Sequence, residues 1–410
     1  MTEEPVPDRM SPLGQRARQI AAAAAQLFHD VGYQNVSVDQ IGAAVGLTGP
    51  AVYRHFKSKH QILVHALVEQ VAVVEQMADR FAQGTEPATD RLSGFLTELG
   101  ALVVDRDEAM LWRTEQRHLR PEEQRVFRAR FGAVLHRVAG LLTAARPDRN
   151  RADAELLGYA LLAFFAGTRD IRHGLGTERL TVVQSAIATA IVRCEIPAAA
   201  DTSGTAPRIG GHIPAGRRER IISTSAALFD RRGFHDVRID DIAKASNMSV
   251  ATLYQHVDSK TAALHAILER GAHGLLYVTH AALANAATAE AALALLIRTY
   301  IGQALGVHGR IMRILATDLI YLPEQERTAL RDAQREYVAE WIEALRAISP
   351  GLDAADARAL AHAVIGVITD MSQTPRVRTR PGVAGELIAL ATAMTAPGST
   401  AAPLPAGPPA

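Results

Sequence analysis

The chain repeats itself, and no other feature limits its folds as strongly. Residues 27–59, LFHDVGYQNVSVDQIGAAVGLTGPAVYRHFKSK, align without a gap on residues 228–260, LFDRRGFHDVRIDDIAKASNMSVATLYQHVDSK, at an offset of 201. Phe28, Gly32, Val36 and Ile41 match Phe229, Gly233, Val237 and Ile242. Tyr53, His55, Ser58 and Lys59 match Tyr254, His256, Ser259 and Lys260. A long fixed period means that one structural unit is built twice. The length agrees, since 410 residues exceed what one core comfortably holds. Fainter echoes follow: Pro121-Glu122 answers Pro323-Glu324, and Thr168 to Asp170 sits where Thr369-Asp370 ends a similar apolar helix.

The repeated units read as helix. Ile20, Ala24, Leu27 and Val31 recur at helical spacing, as do Ile221, Ser225 and Leu228. Alanine is abundant and loses no side-chain entropy on helix formation. No stretch sustains a period of two, so the expected class is all-α. Residues 197–215, rich in Pro, Gly, Ala and Ser, cannot bury enough apolar surface to offset their ordering and read as a linker. Residues 396–410 read as a disordered tail of the same character.

Inside the repeat, the order of signals is that of a helix-turn-helix. A first helix ends at Gly32 or Gly233, suited to a left-handed C-cap. A short helix follows over residues 38–45 or 239–246. It stops at Gly46 or Asn247, two residue types that tolerate the positive φ of a tight turn. Leu47-Thr48 and Met248-Ser249 then pair an apolar anchor with a hydroxyl N-cap. A third helix ends near His55 or His256, and Ser58 or Ser259 caps a fourth. In such motifs the second helix of the pair enters the DNA major groove.

GLTGPAVYRHFKSK in copy one, and NMSVATLYQHVDSK in copy two, resemble the signature of the tetracycline-repressor (TetR) family, with Asn for Gly and Val for Phe in the second. The resemblance implies two tandem TetR-like units. Each has a helix-turn-helix domain (residues 13–66 and 216–267) followed by a helical ligand-binding and dimerisation domain (residues 67–196 and 268–395). It implies that Thr48 and Ser249 cap the recognition helix and touch phosphate, and that Tyr53 and Tyr254 reach the DNA backbone or a base methyl. His55, Lys59, His256 and Lys260 would be further phosphate contacts, which set register without reading sequence. Base reading would fall to Gly49, Pro50 and Arg54 in one copy and to Val250, Ala251 and Gln255 in the other. Arginine suits guanine and glutamine suits adenine, so the two copies should prefer different half-sites. Asp258 stands where copy one has Lys57 and would repel phosphate. Arg217, Arg218 and Arg220 at the start of the first helix of copy two would compensate.

In the family the second domain senses a small molecule and supplies dimerising helices. Residues 156–168 and 359–369 are apolar nearly all round and must be buried on most sides, which suits an interface between the units. One chain would then be a pseudo-dimer, with association of two chains left open. Candidate effector-pocket residues are Trp112, Glu115 and His118 in unit one and Met312, Asp318 and Tyr321 in unit two, and the aliphatic content favours an apolar effector.

Charge excludes little: 44 Lys and Arg face 43 Asp and Glu, so any nucleic-acid surface must be local. Cys194, the single cysteine, rules out an intrachain disulfide and reads as a structural helix residue. The N-terminal residues lack the apolar stretch of a signal peptide, and the longest apolar run is shorter than the ~20 residues of a membrane span. A cytoplasmic protein, at the nucleoid when bound to DNA, is expected. No zinc-protease, phosphate-loop or nucleophile-elbow motif occurs, so neither catalysis, a cofactor nor a metal is expected. The expected function is a ligand-responsive repressor on an asymmetric operator. The alternative is that only the first unit binds DNA and the second is a built-in scaffold.

Overall fold

The computed structural model describes residues 14–105, 110–113, 115–198, 214–306 and 308–396, which form helices joined by turns. The chain divides into two compact bodies, with the division after Arg169. Most of the expected linker (residues 199–213) and of the expected tail (residues 397–410) lies outside the described residues.

The first body contains α1 (Gln15–Val31), α2 (Val38–Ala44), α3 (Gly49–Val52), α4 (Lys59–Ala82), α5 (Ala88–Asp105), α6 (Pro121–Ala145) and α7 (Arg151–Ala166). Helix α1 buries Ala17, Ile20, Ala21, Ala24, Ala25 and Phe28, a stripe at three- and four-residue spacing. Ser37 and Gln40 form a reciprocal capping box at the start of α2, and Ser58 accepts from the Gln61 amide at the start of α4. Helix α4 packs on α1 at one end and on α5 and α6 along its length. The expected domain boundary at residue 66 therefore falls inside one continuous helix of 24 residues. The helix-turn-helix segment and the helices after it thus share one continuous element.

Helix α8 (Thr168–Ile171) leads into the second body, which begins with α9 (Thr177–Arg193). There follow α10 (Arg217–Arg232), α11 (Ile239–Ala245), α12 (Val250–Tyr254), α13 (Lys260–Leu283), α14 (Ala289–Leu305) and α15 (His308–Asp318). The last four are α16 (Glu324–Ile348), α17 (Ala354–Gln373), α18 (Pro375–Arg378) and α19 (Val383–Thr395). The expected Pro-Glu echo is structural: Pro121 and Glu324 open helices of equal length, α6 and α16. Thr369 and Asp370 do not end their helix, because α17 runs on to Gln373, whereas α7 breaks at Gly167.

Helix α9 was expected to belong to the first unit, yet it sits in the second body, against α17 and α19. Leu180, Val183, Ile187 and Ile191 form its fully buried stripe. Arg179 grips Asp356 of α17, with Nε 3.0 and 3.1 Å from the two carboxylate oxygens. Cys194, just past the end of α9, is buried. The bodies thus divide one helix before the linker, not at it.

The core of the second regulatory domain carries polar groups that its packing leaves unsatisfied. Tyr300 (α14), Tyr337 and Trp341 (both α16) cluster with ring centroids 5.7–6.4 Å apart. The Tyr300 hydroxyl meets Thr369 at 2.7 Å, and burial raises its pKa to about 12. The Tyr337 hydroxyl, Trp341 Nε1 and Thr279 Oγ1 lie side by side, buried, without reaching hydrogen-bond geometry. A buried hydroxyl without a partner is a cost, so Tyr337→Phe should leave stability unchanged or raise it by up to about 1 kcal/mol. Trp341→Ala, which empties the centre of the cluster, should cost about 3–5 kcal/mol. Urea titrations of the two variants check both; a Tyr337→Phe loss above about 1 kcal/mol would show that the hydroxyl is satisfied after all.

Candidate nucleic-acid interface

The two helix-turn-helix segments are assembled by the same devices. Gly32 and Gly233 end α1 and α10 with φ of 84° and 77°, but their ψ values of 140° and 157° are extended. The expected left-handed cap is therefore corrected to the neighbouring region open essentially to glycine alone. The turn between the crossed helices is as expected, with φ of 68° at Gly46 and 55° at Asn247.

The recognition helices α3 and α12 are short, and their outer faces are open. Tyr53 and Tyr254 are 54% and 49% exposed, unusual for large aromatic rings in a protein of this size. Thr48, Pro50, Arg54 and His55 are exposed in copy one, as are Ser249, Ala251 and Gln255 in copy two. Ser249 caps α12, accepting from the Thr252 amide at 3.1 Å. Thr48 stands at the equivalent N-cap without a side-chain capping bond. Pro50 in the first turn removes one of the amides that such a cap could serve. The Thr48 hydroxyl is left facing solvent.

Four expected contacts have other roles. Gly49 is buried, and a Cβ there would collide with the Asp39 carboxylate, so glycine permits α3 to seat on α2 and offers no side chain to a base. Val250 is half-buried and belongs to the packing around the copy-two core. Lys59 turns inward: its Nζ donates to the carbonyls of Tyr33 (2.8 Å), Gln34 (3.3 Å) and Val36 (2.8 Å), 4.6 Å from the Tyr33 ring centroid. Lys260 repeats this on Phe234 (2.8 Å), His235 (3.4 Å) and Val237 (2.9 Å), with the Phe234 ring at 4.2 Å. An ammonium has three donors, and all three are occupied. Partial burial lowers both lysine pKa values, and Asp236 and Asp318 oppose the shift at Lys260. The lysines clamp the loop between the first two helices and have no donor left for phosphate.

The two histidines differ. His55 is exposed, whereas His256 is half-buried with an Nε2 that has no hydrogen-bond partner. Lys57 and Asp258 are both exposed, so the charge reversal between the copies lies on their surfaces. Arg217 and Arg218 are exposed at the start of α10, while Arg220 donates to the Pro214 and Ala215 carbonyls at 3.1 and 3.2 Å.

The residues proposed for an effector pocket lie largely where each regulatory domain meets its helix-turn-helix. The His118 ring lies 5.0 Å from Tyr33, and His118 Nε2 is 3.4 Å from Glu115. Tyr321 stacks on Phe234 at 5.5 Å and meets His235 edge-on at 4.3 Å, and Asp318 is fully buried near Lys260. Trp112 packs edge-on against Phe131 at 5.8 Å, and Met312 is half-buried on α15. An aromatic contact thus joins the two layers in each copy. The signal was present in the sequence as an aromatic at 33 or 234 and a lysine 26 residues later in both copies.

The model of the bacterial tetR regulatory family matches twice, over residues 20–66 and 221–267, which are these two helix-turn-helix segments. The chain belongs to the tetR family. It is a DNA-binding transcriptional regulator with two tandem TetR-like units in one polypeptide. The transcriptional repressor KstR2 of Rhodococcus jostii is 28% identical over 152 residues, 37% of this chain and 70% of that protein. The biofilm-operon negative regulator IcaR of Staphylococcus aureus is 42% identical over 43 residues, 10% of this chain and 23% of that protein. A TetR-family regulator of Bordetella parapertussis is 24% identical, covers 44% of this chain and 95% of its own, and has a TM-score of 0.41. Among the described residues, no three or more of His, Cys, Asp or Glu gather as a metal would require, and no single helix is long and apolar enough to cross a membrane.

Proposed function

We propose that this TetR-family chain is a single-chain pseudo-dimer that represses transcription by occupying an asymmetric operator, and that a small-molecule effector releases it. The observation that carries the reading is a matched pair of exposed recognition surfaces with unlike side chains. Tyr53 recurs as Tyr254 in the same frame, while Pro50 and Arg54 are replaced by Ala251 and Gln255. Dimeric helix-turn-helix proteins read half-sites one DNA turn apart, about 34–36 Å, and identical subunits require a palindrome. Two unlike readers in one chain fit an operator with unlike halves. Helix α9 supports the pairing, because a helix of the first repeat lies in the second body and is held there by Arg179 and Asp356. An effector acts by favouring a conformation in which the two readers no longer match the DNA spacing.

The test is selection of bound sequences from random duplex DNA, comparing the unmodified chain with Tyr254→Ala/Gln255→Ala. The expected result is two unlike half-sites, with guanine opposite Arg54 and adenine opposite Gln255, and loss of the second half-site in the variant. A palindrome indifferent to the variant would mean that the second unit is scaffold. Exposed Asp258, in place of Lys57, is the observation that favours that second reading.

A further inference from the structure

Where α10 meets α15, two guanidinium groups hold one carboxylate, and a third, that of Arg378, lies close enough to feel all three charges. Asp230, near the end of α10, is held by Arg313 of α15 through Nε (2.5 Å) and Nη2 (2.8 Å). Arg310, one turn earlier on α15, brings its Nε to 3.4 Å from the same carboxylate; that nitrogen is buried and makes no hydrogen bond. Arg378, the last residue of α18, donates to the Leu305 carbonyl at 2.5 Å. Burial, then the charges of Arg313 and Arg310, hold its pKa below the usual arginine value, with Asp230 opposing them. The Asp230, Arg310 and Arg313 side chains are only 12%, 28% and 29% exposed.

Packing accounts for part of this cluster. A bidentate Arg313–Asp230 pair joins α10 to α15 as a helix-joining ion pair should. In the first body the carboxylate Asp30 of α1 is likewise paired with Arg169 at 2.9 Å. Arg378 also caps the Leu305 carbonyl and Arg310 makes a longer contact with Asp230, but one carboxylate still answers three guanidinium charges. That leaves the cluster about two positive charges in excess at a place partly shielded from water, where like charges repel more strongly than at the surface. A dianion would relieve that repulsion. Guanidinium groups match the oxygens of a phosphoryl group in two-point geometry, and a single carboxylate would cancel only one of the two charges.

We propose that Arg310, Arg313 and Arg378 form a binding site for the phosphoryl group of a small phosphorylated effector, at the joint between α10, α15 and α18. Arg310 and Arg313 share α15 with Met312 and Asp318, and none of the three arginines is among the pocket residues expected from the sequence. Its ligand touches both layers of the second unit, so occupancy changes how firmly α10 is held to the regulatory domain. By linkage, whatever factor the anion applies to DNA affinity, DNA applies to anion affinity. This last step rests on the proposed DNA-binding function of the second unit; the binding itself does not.

The probe is inorganic pyrophosphate in magnesium-free buffer, titrated calorimetrically into the full chain with ionic strength held constant by potassium chloride. The expected result is one site per chain, weakened tenfold or more by Arg378→Gln and by Arg310→Gln, with Arg378→Lys falling between the unmodified chain and Arg378→Gln because lysine keeps the charge but not the two-point geometry. Asp230→Asn removes the competing carboxylate and should tighten binding at least threefold, a gain that misfolding cannot imitate. Equal binding in the unmodified chain and Arg378→Gln would overturn the site. So would weaker binding in Asp230→Asn with an unchanged circular-dichroism melt. A parallel titration of random duplex DNA without pyrophosphate separates the two phosphate sources. If Arg378→Gln lowers the salt dependence of DNA binding by about one unit, the cluster contacts DNA backbone and the effector site is rejected.

Discussion

Lys59→Met will destabilise the first helix-turn-helix by about 2–4 kcal/mol, and its effect on DNA will come through folding rather than through a lost phosphate contact. Each hydrogen bond from a charged donor is worth about 1.5–3 kcal/mol, discounted here because the carbonyls of Tyr33, Gln34 and Val36 can turn to water once released. The methionine keeps the stem over the Tyr33 ring, so the loss isolates the ammonium. The loop that Lys59 clamps joins α1 to α2, and Tyr33 in that loop carries His118 of the regulatory layer. Loosening it should lower the denaturation midpoint. DNA binding should weaken with no change in its salt dependence, because a lysine that neutralises no phosphate releases no counterion. A drop of about one unit in the salt slope, with stability intact, would return Lys59 to the phosphate-contact role that its sequence position implies. Lys260→Met should behave the same way in the second unit, where the three carbonyls are those of Phe234, His235 and Val237.

Arg179→Met should cost the second body about 2–3 kcal/mol, less than the ~3–5 kcal/mol typical of a fully buried pair that loses one partner. Two features account for the discount. The Arg179 side chain is half exposed, and Asp356 lies in the first turn of α17, where the helix dipole favours a negative charge. Asp356 itself is 2% exposed, so removing the guanidinium leaves a buried carboxylate poorly compensated. Replacing both, as Arg179→Met/Asp356→Leu, should recover most of the loss, since an apolar pair carries no charge to desolvate. A double-mutant cycle by urea denaturation measures the coupling, and additivity within about 0.5 kcal/mol would show that the pair does not hold α9 in place.

Much of the chain was legible from spacing alone. Helical periodicity, the Gly46 and Asn247 turns and the serine caps at 58, 249 and 259 are local devices, set by a residue and its neighbours within one helical turn. So were the open positions Tyr53, Arg54, Tyr254 and Gln255, because the doubled motif fixes the frame in which they occur. The outcome differed where a side chain's task depends on what arrives from elsewhere. Lys59 and Lys260 look like surface cations in sequence, but the carbonyls that occupy them come from a loop some 23 to 26 residues upstream. Gly49 looked like part of a reading surface until Asp39 of the neighbouring helix filled the space beside it.

The repeat, its period and the chemistry of its turns determined that this chain is all-α, that it holds two helix-turn-helix segments, and that it belongs to the tetR family. Those properties reside in local propensity and in a motif long enough to be specific. Tertiary structure alone decided that α9 lies in the body of the second repeat, that Arg179 finds Asp356 across 177 residues, and that Arg310 and Arg313 meet on Asp230 with Arg378 close by. The physical reason is the same in each case. Helical periodicity states which face of a helix must be buried, but which partner buries it, and which charges then meet, depends on packing between segments far apart in the chain.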